Sequence, residues 1–196
     1  FLKLIQNRDP SKDYYVRGTF TRENLDFSED VISIADLGVE SISVEPVTAD
    51  ESDPYSIREE DLETIYEEYE RLALQMLQRR DFHFFHFDVD LSQGPCVIKR
   101  IRGCGAGCEY VAVTPDGELY PCHQFVGKEE YKMGTIYSDE IDQEIVGTFS
   151  GLNIYTREDC QNCWARFYCS GGCSAANLNA NGDLRKPYQI GCKMQK

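Results

Sequence analysis

Residues 160–173, CQNCWARFYCSGGC, set four cysteines at x2, x5 and x3 spacing in one short stretch. The four thiols either close around one metal as a small structural knuckle or divide between two sites. Structural zinc and iron–sulfur clusters both take four thiolates, so ligand number alone does not separate the metals. The chain has nine cysteines in all, and the first 95 residues contain none. From Cys104 onward there are eight: Cys104, Cys108, Cys122, Cys160, Cys163, Cys169, Cys173 and Cys192. Eight thiols suffice for two all-cysteine sites. No histidine follows His123, which disfavours a Cys/His zinc finger. The glycines of the block, Gly171 and Gly172, indicate tight loops around such sites.

Composition bounds the rest. A length of 196 residues, 41% hydrophobic and 28% charged, is ordinary for a water-soluble globular protein. A formal charge of −14 disfavours nucleic acid, which needs a field of Lys and Arg. No apolar run approaches the roughly 20 residues needed to span a bilayer. FLKLIQNRDPSKDYY has neither the n-region nor the cleavage site of a signal peptide, so the expected setting is cytoplasmic. There, close x2 and x3 pairs suit metal better than a disulfide framework. The chain begins without Met, ahead of a strand-like run, and reads as a fragment.

The thiol-free half alternates strand and helix. DYYVRGTF (13–20), VESISVEPV (39–47) and FHFFHFDV (82–89) read as strands. FSEDVISIADLG (27–38) reads as a helix with Ser28 as N-cap and Gly38 just past its end. Residues 56–80 form the clearest helix, with a Ser56–Glu59 capping box. Its apolar stripe runs through Leu62, Ile65, Tyr66, Tyr69, Leu72, Ala73, Met76 and Leu77. This order implies an α/β fold with parallel strands, about three strands of a β/α barrel or open sheet. The cysteine-rich half reads differently. EYVAVTPDGELYPC (109–122) is a hairpin around the turn Thr114–Pro115–Asp116–Gly117, and a short helix is expected near 139–149.

Cys104-x12-Gly117-x4-Cys122, then Cys160-x2-Cys163-x5-Cys169-x3-Cys173 and Cys192, resembles the seven-cysteine SPASM domain. That domain is the C-terminal extension of many radical S-adenosylmethionine enzymes that modify peptides and proteins. The preceding strands and helices look like the last units of that superfamily's partial β/α barrel. The resemblance thus implies residues 1–95 as the barrel's C-terminal part, and 96–196 as a loop-rich auxiliary-cluster domain. RGCGAGCEYVAVTPDGELYPCHQFVG and YVRGTFTREN are similar to maturases that install thioether crosslinks in six-cysteine (SCIFF-type) precursor peptides.

The resemblance implies two auxiliary 4Fe–4S clusters. Cys160, Cys163, Cys169 and Cys192 would hold the outer one, and Cys104, Cys122 and Cys173 the inner one. Cys108 is either the fourth inner ligand, as in sulfatase-maturing relatives, or absent from a cluster that keeps an open iron for a substrate thiolate; the open site is the expectation. S-adenosylmethionine and a third 4Fe–4S cluster belong to the intact protein. A cysteine-rich precursor peptide and an electron donor such as flavodoxin or ferredoxin are the implied partners. The CxxxCxxC motif that binds the cofactor is missing: Val111 and Ala176 stand where a third cysteine would follow Cys104-x3-Cys108 and Cys169-x3-Cys173. The chain as given is therefore expected to be inactive by itself. Two alternatives stay open, a sulfatase-type maturase oxidising Cys or Ser and a module with two zinc sites.

Other residues have plainer readings. Arg17, Thr19 and Glu45 lie near strand ends and are candidates for contact with S-adenosylmethionine or substrate. Asp88 and Asp90 follow the last strand, where barrel enzymes place catalytic groups. His83 and His86 read as ordinary strand residues, Cys96 as a buried or idle thiol, and His123 as either a neighbour of the cluster sulfur or a surface residue. Trp164, Phe167 and Tyr168 are expected to shield the clusters from water.

Overall fold

Three short segments rich in β-branched and aromatic residues build the first sheet: β1 (Val16–Phe20), β2 (Ser41–Pro46) and β3 (His83–Phe84). All run parallel in the order β1-β2-β3, with Arg17 opposite Ser43, Thr19 opposite Glu45 and Ser41 opposite His83. The structure, a computed structural model, describes residues 2–9, 11–88 and 101–195. Asp90 and Cys96 lie outside these. The chain divides into two compact units, Phe1–Gln93 and Gly94–Lys196.

In the first unit, helix α1 (Leu2–Gln6) precedes the sheet, and α2 (Phe27–Asp36) and α3 (Leu62–Gln78) connect its strands. Side chains alternate across a strand, so one sheet face collects Phe20, Ile42, Val44 and Phe84, all buried. Phe20 stacks on Phe27 of α2 at 4.4 Å, and Tyr69 of α3 sits edge-on to Phe27 at 4.9 Å. Each fully buried Phe stabilises by roughly 1.5–3 kcal/mol. The other face is polar, carrying Arg17, Thr19, Ser43 and Glu45.

Both helix starts differ from the sequence expectation. Ser28 is not the N-cap of α2. Asp26 holds that position, and Ser28 lies inside the first turn, buried. Its N–H and Oγ–H both donate to Glu68 Oε2, at 3.2 and 2.5 Å. A carboxylate from α3 thereby satisfies a donor that helix geometry leaves open, and it favours the positive end of the dipole. Arg71 completes the group at 2.5 Å from Glu68 Oε1. The buried stripe of α3 is rotated accordingly: Glu68 is buried, while Tyr66 and Leu77 are exposed. The Ser56–Glu59 box is also displaced. A 3₁₀ turn, Glu59–Asp61, leads into α3, and Asp61 Oδ2 accepts from the Arg58 N–H at 2.8 Å. At the far end of α2, Gly38 takes φ +81° and donates to Ala35 O, as a residue after a helix must to reverse the chain.

The third strand is shorter than 82–89. After Phe84 the chain enters a 3₁₀ turn, Phe85–Phe87. That turn carries His86 back toward α3 and β2, so the strand reading of His86 is corrected.

In the second unit β4 (Ala112–Val113), β5 (Glu118–Tyr120) and β6 (Gly134–Thr135) form an antiparallel sheet in that order. The 114–117 turn closes with Gly117 N–H donating to Thr114 O, Gly117 at φ +83°. Helix α4 (Gln143–Ser150) begins at Asp142, whose Oδ1 accepts from the Glu144 and Ile145 N–H groups. Tyr120, Cys122, Phe125, Phe149, Leu152, Ala175 and Leu184 make the core. The cysteine block then runs through four short helices: α5 (Glu158–Gln161), α6 (Arg166–Cys169), α7 (Ser174–Asn181) and α8 (Gln189–Met194). Among the described residues no helix is long and apolar enough to cross a membrane.

Candidate metal centre

Cys160 lies in α5, Cys163 just beyond it, Cys169 ends α6, Cys173 caps α7 and Cys192 lies in α8. Between Cys169 and Cys173 three consecutive residues take the left-handed conformation: Ser170 (φ 59°), Gly171 (φ 86°) and Gly172 (φ 72°). Glycine tolerates this geometry and Ser only at a cost, so the reversal is written into the SGG sequence. All eight described cysteines are free thiols.

The thiols sort into two electrostatic sets. Burial raises the Cys122 pKa, and the charges of Cys173 and Cys104 add to it. Tyr110 belongs to the same group, its hydroxyl 3.7 Å from Cys104 Sγ. In the other set, burial and then Cys169, Cys160 and Cys163 push the Cys192 thiol up to about 11. Burial also raises Cys160, against the pull of Arg157, with Cys169 and Cys163 adding to the rise. Cys169 is raised by burial, while its bonds from the Gly171 and Gly172 backbone oppose the shift. Cys108 stands apart. Its Sγ contacts the Val146 carbonyl at 3.9 Å, and the charges acting on it are Arg102 and Glu109.

Among the described residues no three His, Cys, Asp or Glu side chains converge tightly enough to hold a single metal ion. One observation suits a negatively charged metal–thiolate group. Arg157 is buried at 1% exposure, its Nε–H has no partner among the described residues, and Cys160, Cys169, Cys173 and Cys104 would act on it as thiolates.

Of the aromatics of the block, Trp164 is 66% exposed and Tyr168 40%, while Ala165 between them is buried. The Arg166 guanidinium covers the Phe167 ring at 4.8 Å. His123 is exposed and bonded to Gln124.

The first unit has a cavity of about 360 Å³ on the polar face of its sheet, lined by Arg17, Ser43, Glu45, His83 and Asp88 among others. Arg17 and Glu45 therefore share one site. Thr19 is exposed and does not line it. Sequence reasoning missed the group that positions Glu45. Tyr69 Oη lies 2.7 Å from His86 Nδ1, His86 Nε2 lies 2.8 Å from Glu45 Oε2, and Ser43 Oγ donates to Glu45 Oε1 at 2.6 Å. Burial works to raise the Glu45 carboxyl, but the bonds from His86 and Ser43 and the charges of His86 and Arg17 outweigh it, and the net shift is downward. No local spacing could have announced a pair 41 residues apart.

Residues 104–164 match the model of the SPASM family, described as an iron–sulfur cluster-binding domain. The match takes in five of the cysteines discussed and ends before Cys169. An uncharacterized protein of Archaeoglobus fulgidus is 33% identical over 95 residues, 45% of this chain and 22% of that protein. A serine-type anaerobic sulfatase-maturating enzyme of Klebsiella aerogenes is 31% identical over 98 residues, 48% of this chain and 22% of the enzyme. The antilisterial bacteriocin subtilosin biosynthesis protein AlbA of Bacillus subtilis is 30% identical over 103 residues, 47% of this chain and 21% of AlbA. The chain spans about a fifth of the length of these curated relatives. The likeness to an iron–sulfur cluster-binding domain thus covers residues 104–164, and a sulfatase-maturating enzyme and a bacteriocin biosynthesis protein are among the proteins to which the chain is similar.

Proposed function

We propose that this chain is the auxiliary-cluster part of a radical S-adenosylmethionine maturase, acting in the cytoplasm, that forms Cys thioether crosslinks in a ribosomally made, cysteine-rich precursor peptide. Its three parallel strands are then the last units of the partial barrel. Cys160, Cys163, Cys169 and Cys192 hold an outer 4Fe–4S cluster; Cys104, Cys122 and Cys173 hold an inner one. Bound there, the clusters supply one-electron transfer and, at an iron without a protein ligand, a place for a substrate thiolate. A flavodoxin- or ferredoxin-type partner is the electron donor. The observation that supports the reading is the match of residues 104–164 to an iron–sulfur cluster-binding domain, beside which Cys122 is influenced by Cys173 and Cys104, Cys192 by Cys169, Cys160 and Cys163, and Cys108 contacts the Val146 carbonyl. In the first unit, Arg17 and Glu45 offer opposite charges to one ligand, S-adenosylmethionine or the peptide, and His86 holds the Glu45 carboxylate in place.

A sulfatase-type maturase is the second reading, favoured by the similarity to the Klebsiella enzyme. The two differ in product. A thioether crosslink makes no aldehyde, whereas oxidation of Cys or Ser does. Iron, sulfide and zinc analysis of anaerobically purified intact protein tests the shared part. At least about eight irons with matching sulfide are expected from two cubanes. Zinc without sulfide would overturn both readings.

A further inference from the structure

The side chain of Arg157 joins three separate parts of the cysteine region. Nη1 donates to Gly171 O at 3.0 Å; Nη2 donates to Ser174 Oγ at 3.0 Å and to Leu184 O at 3.3 Å. Gly171 is fitted to it, since a Cβ there would lie 2.3 Å from Nη1. All three acceptors are neutral, and among the described residues Nε–H has none. The thiols whose ionised forms would act on the guanidinium come from both sets, Cys160 and Cys169 from the set of four and Cys173 and Cys104 from the set of three.

A guanidinium does not give up its proton in a protein. Burying it without a counter-ion costs several kcal/mol even after relaxation. The anion it needs is supplied when the thiols ligate metal, because the ligand is the thiolate. Resting on the cluster reading above, we infer that Arg157 is the shared counter-ion of the two loaded thiol sets, with its unpartnered Nε–H available to a sulfur acceptor. It is a positioning and charge-setting residue. Through Gly171 O and Ser174 Oγ it also fixes the Ser170–Gly172 turn between Cys169 and Cys173. A fixed positive charge favours the more negative, reduced form of each cluster and so raises its reduction potential.

The test is an EPR-monitored redox titration, with iron counted per chain, of the intact protein beside Arg157→Gln and Arg157→Lys. Expected is a wild-type protein with auxiliary clusters, an Arg157→Lys variant titrating close to it, and a downward move in Arg157→Gln. The size expected is about a tenfold change in the reduced-to-oxidised ratio at fixed potential, which is 59 mV for one electron. Loss of iron from Arg157→Gln alone also supports the counter-ion role. Unchanged potentials in Arg157→Gln, equal shifts in both variants, or iron loss from both would overturn it and leave a packing role. A wild-type protein without iron would overturn the cluster reading and this inference with it, whereas wild-type iron with an indifferent Arg157→Gln defeats only the inference.

Discussion

The two units treat buried charge in opposite ways. In the first, Glu68 lies buried but bonded to Ser28 and paired with Arg71, and Glu45 is held by His86 and Ser43. Every partner comes from the same unit. In the second, Arg157 is buried among neutral acceptors with one N–H unpartnered among the described residues, and the eight described cysteines are free thiols. The carboxylates of the first unit thus have partners from its own side chains. The proposed clusters would supply the anions that the Arg157 side chain lacks.

Removing iron should separate the units most sharply. Anaerobic chelation is expected to abolish slow amide exchange at Tyr120, Phe125 and Phe149 while leaving Ile42 and Val44 protected, because metal binding free energy is folding free energy for a small ligand-rich unit. Hydrogen exchange followed residue by residue checks this; equal loss in both units would break the contrast. Next in size is Phe20→Ala, expected to destabilise the first unit by about 3–5 kcal/mol in urea unfolding without changing iron content. Glu68→Ala comes next, at about 1–3 kcal/mol, since it leaves the buried N–H and hydroxyl of Ser28 without their acceptor. Glu68→Gln should recover part of that loss.

The smallest effect is a pH dependence. The Glu45 carboxyl has a folded pKa below its ordinary value, so the unfolded chain binds the proton more readily. Its contribution is therefore fully present above about pH 4.5 and is lost as pH falls through the folded pKa. Glu45→Gln should flatten the dependence of the urea midpoint on pH in that acid range. A parallel curve would show that His86 and Ser43 do not favour the ionised form.

What was legible in the sequence was local. The VESISVEPV alternation, the Gly38 stop and the Thr114–Gly117 turn each depend on neighbours a few residues away, and the strands and hairpin appear where those signals lie. What was not legible was long-range. Glu68 reaches Ser28 across 40 residues and displaces a cap that Ser28 seemed suited to provide. His86 reaches Glu45 across 41 residues, and a 3₁₀ turn replaces the second half of its strand to bring it there. Arg157 carries no motif at all. Its one sequence trace is Gly171, which reads as a loop glycine and is also the surface on which the guanidinium rests.

The central claim is that Cys173 works with Cys104 rather than with Cys160, Cys163 and Cys169, its neighbours in sequence. Counting iron per chain in Cys104→Ala, Cys173→Ala and the double variant tests it most directly. Two residues of one cluster are non-additive, whereas residues of two clusters add. Each single variant is expected to lose about four irons, and the double variant to lose no more than either single one. A double variant stripped of both auxiliary clusters would place the two cysteines in different sites and contradict the claim.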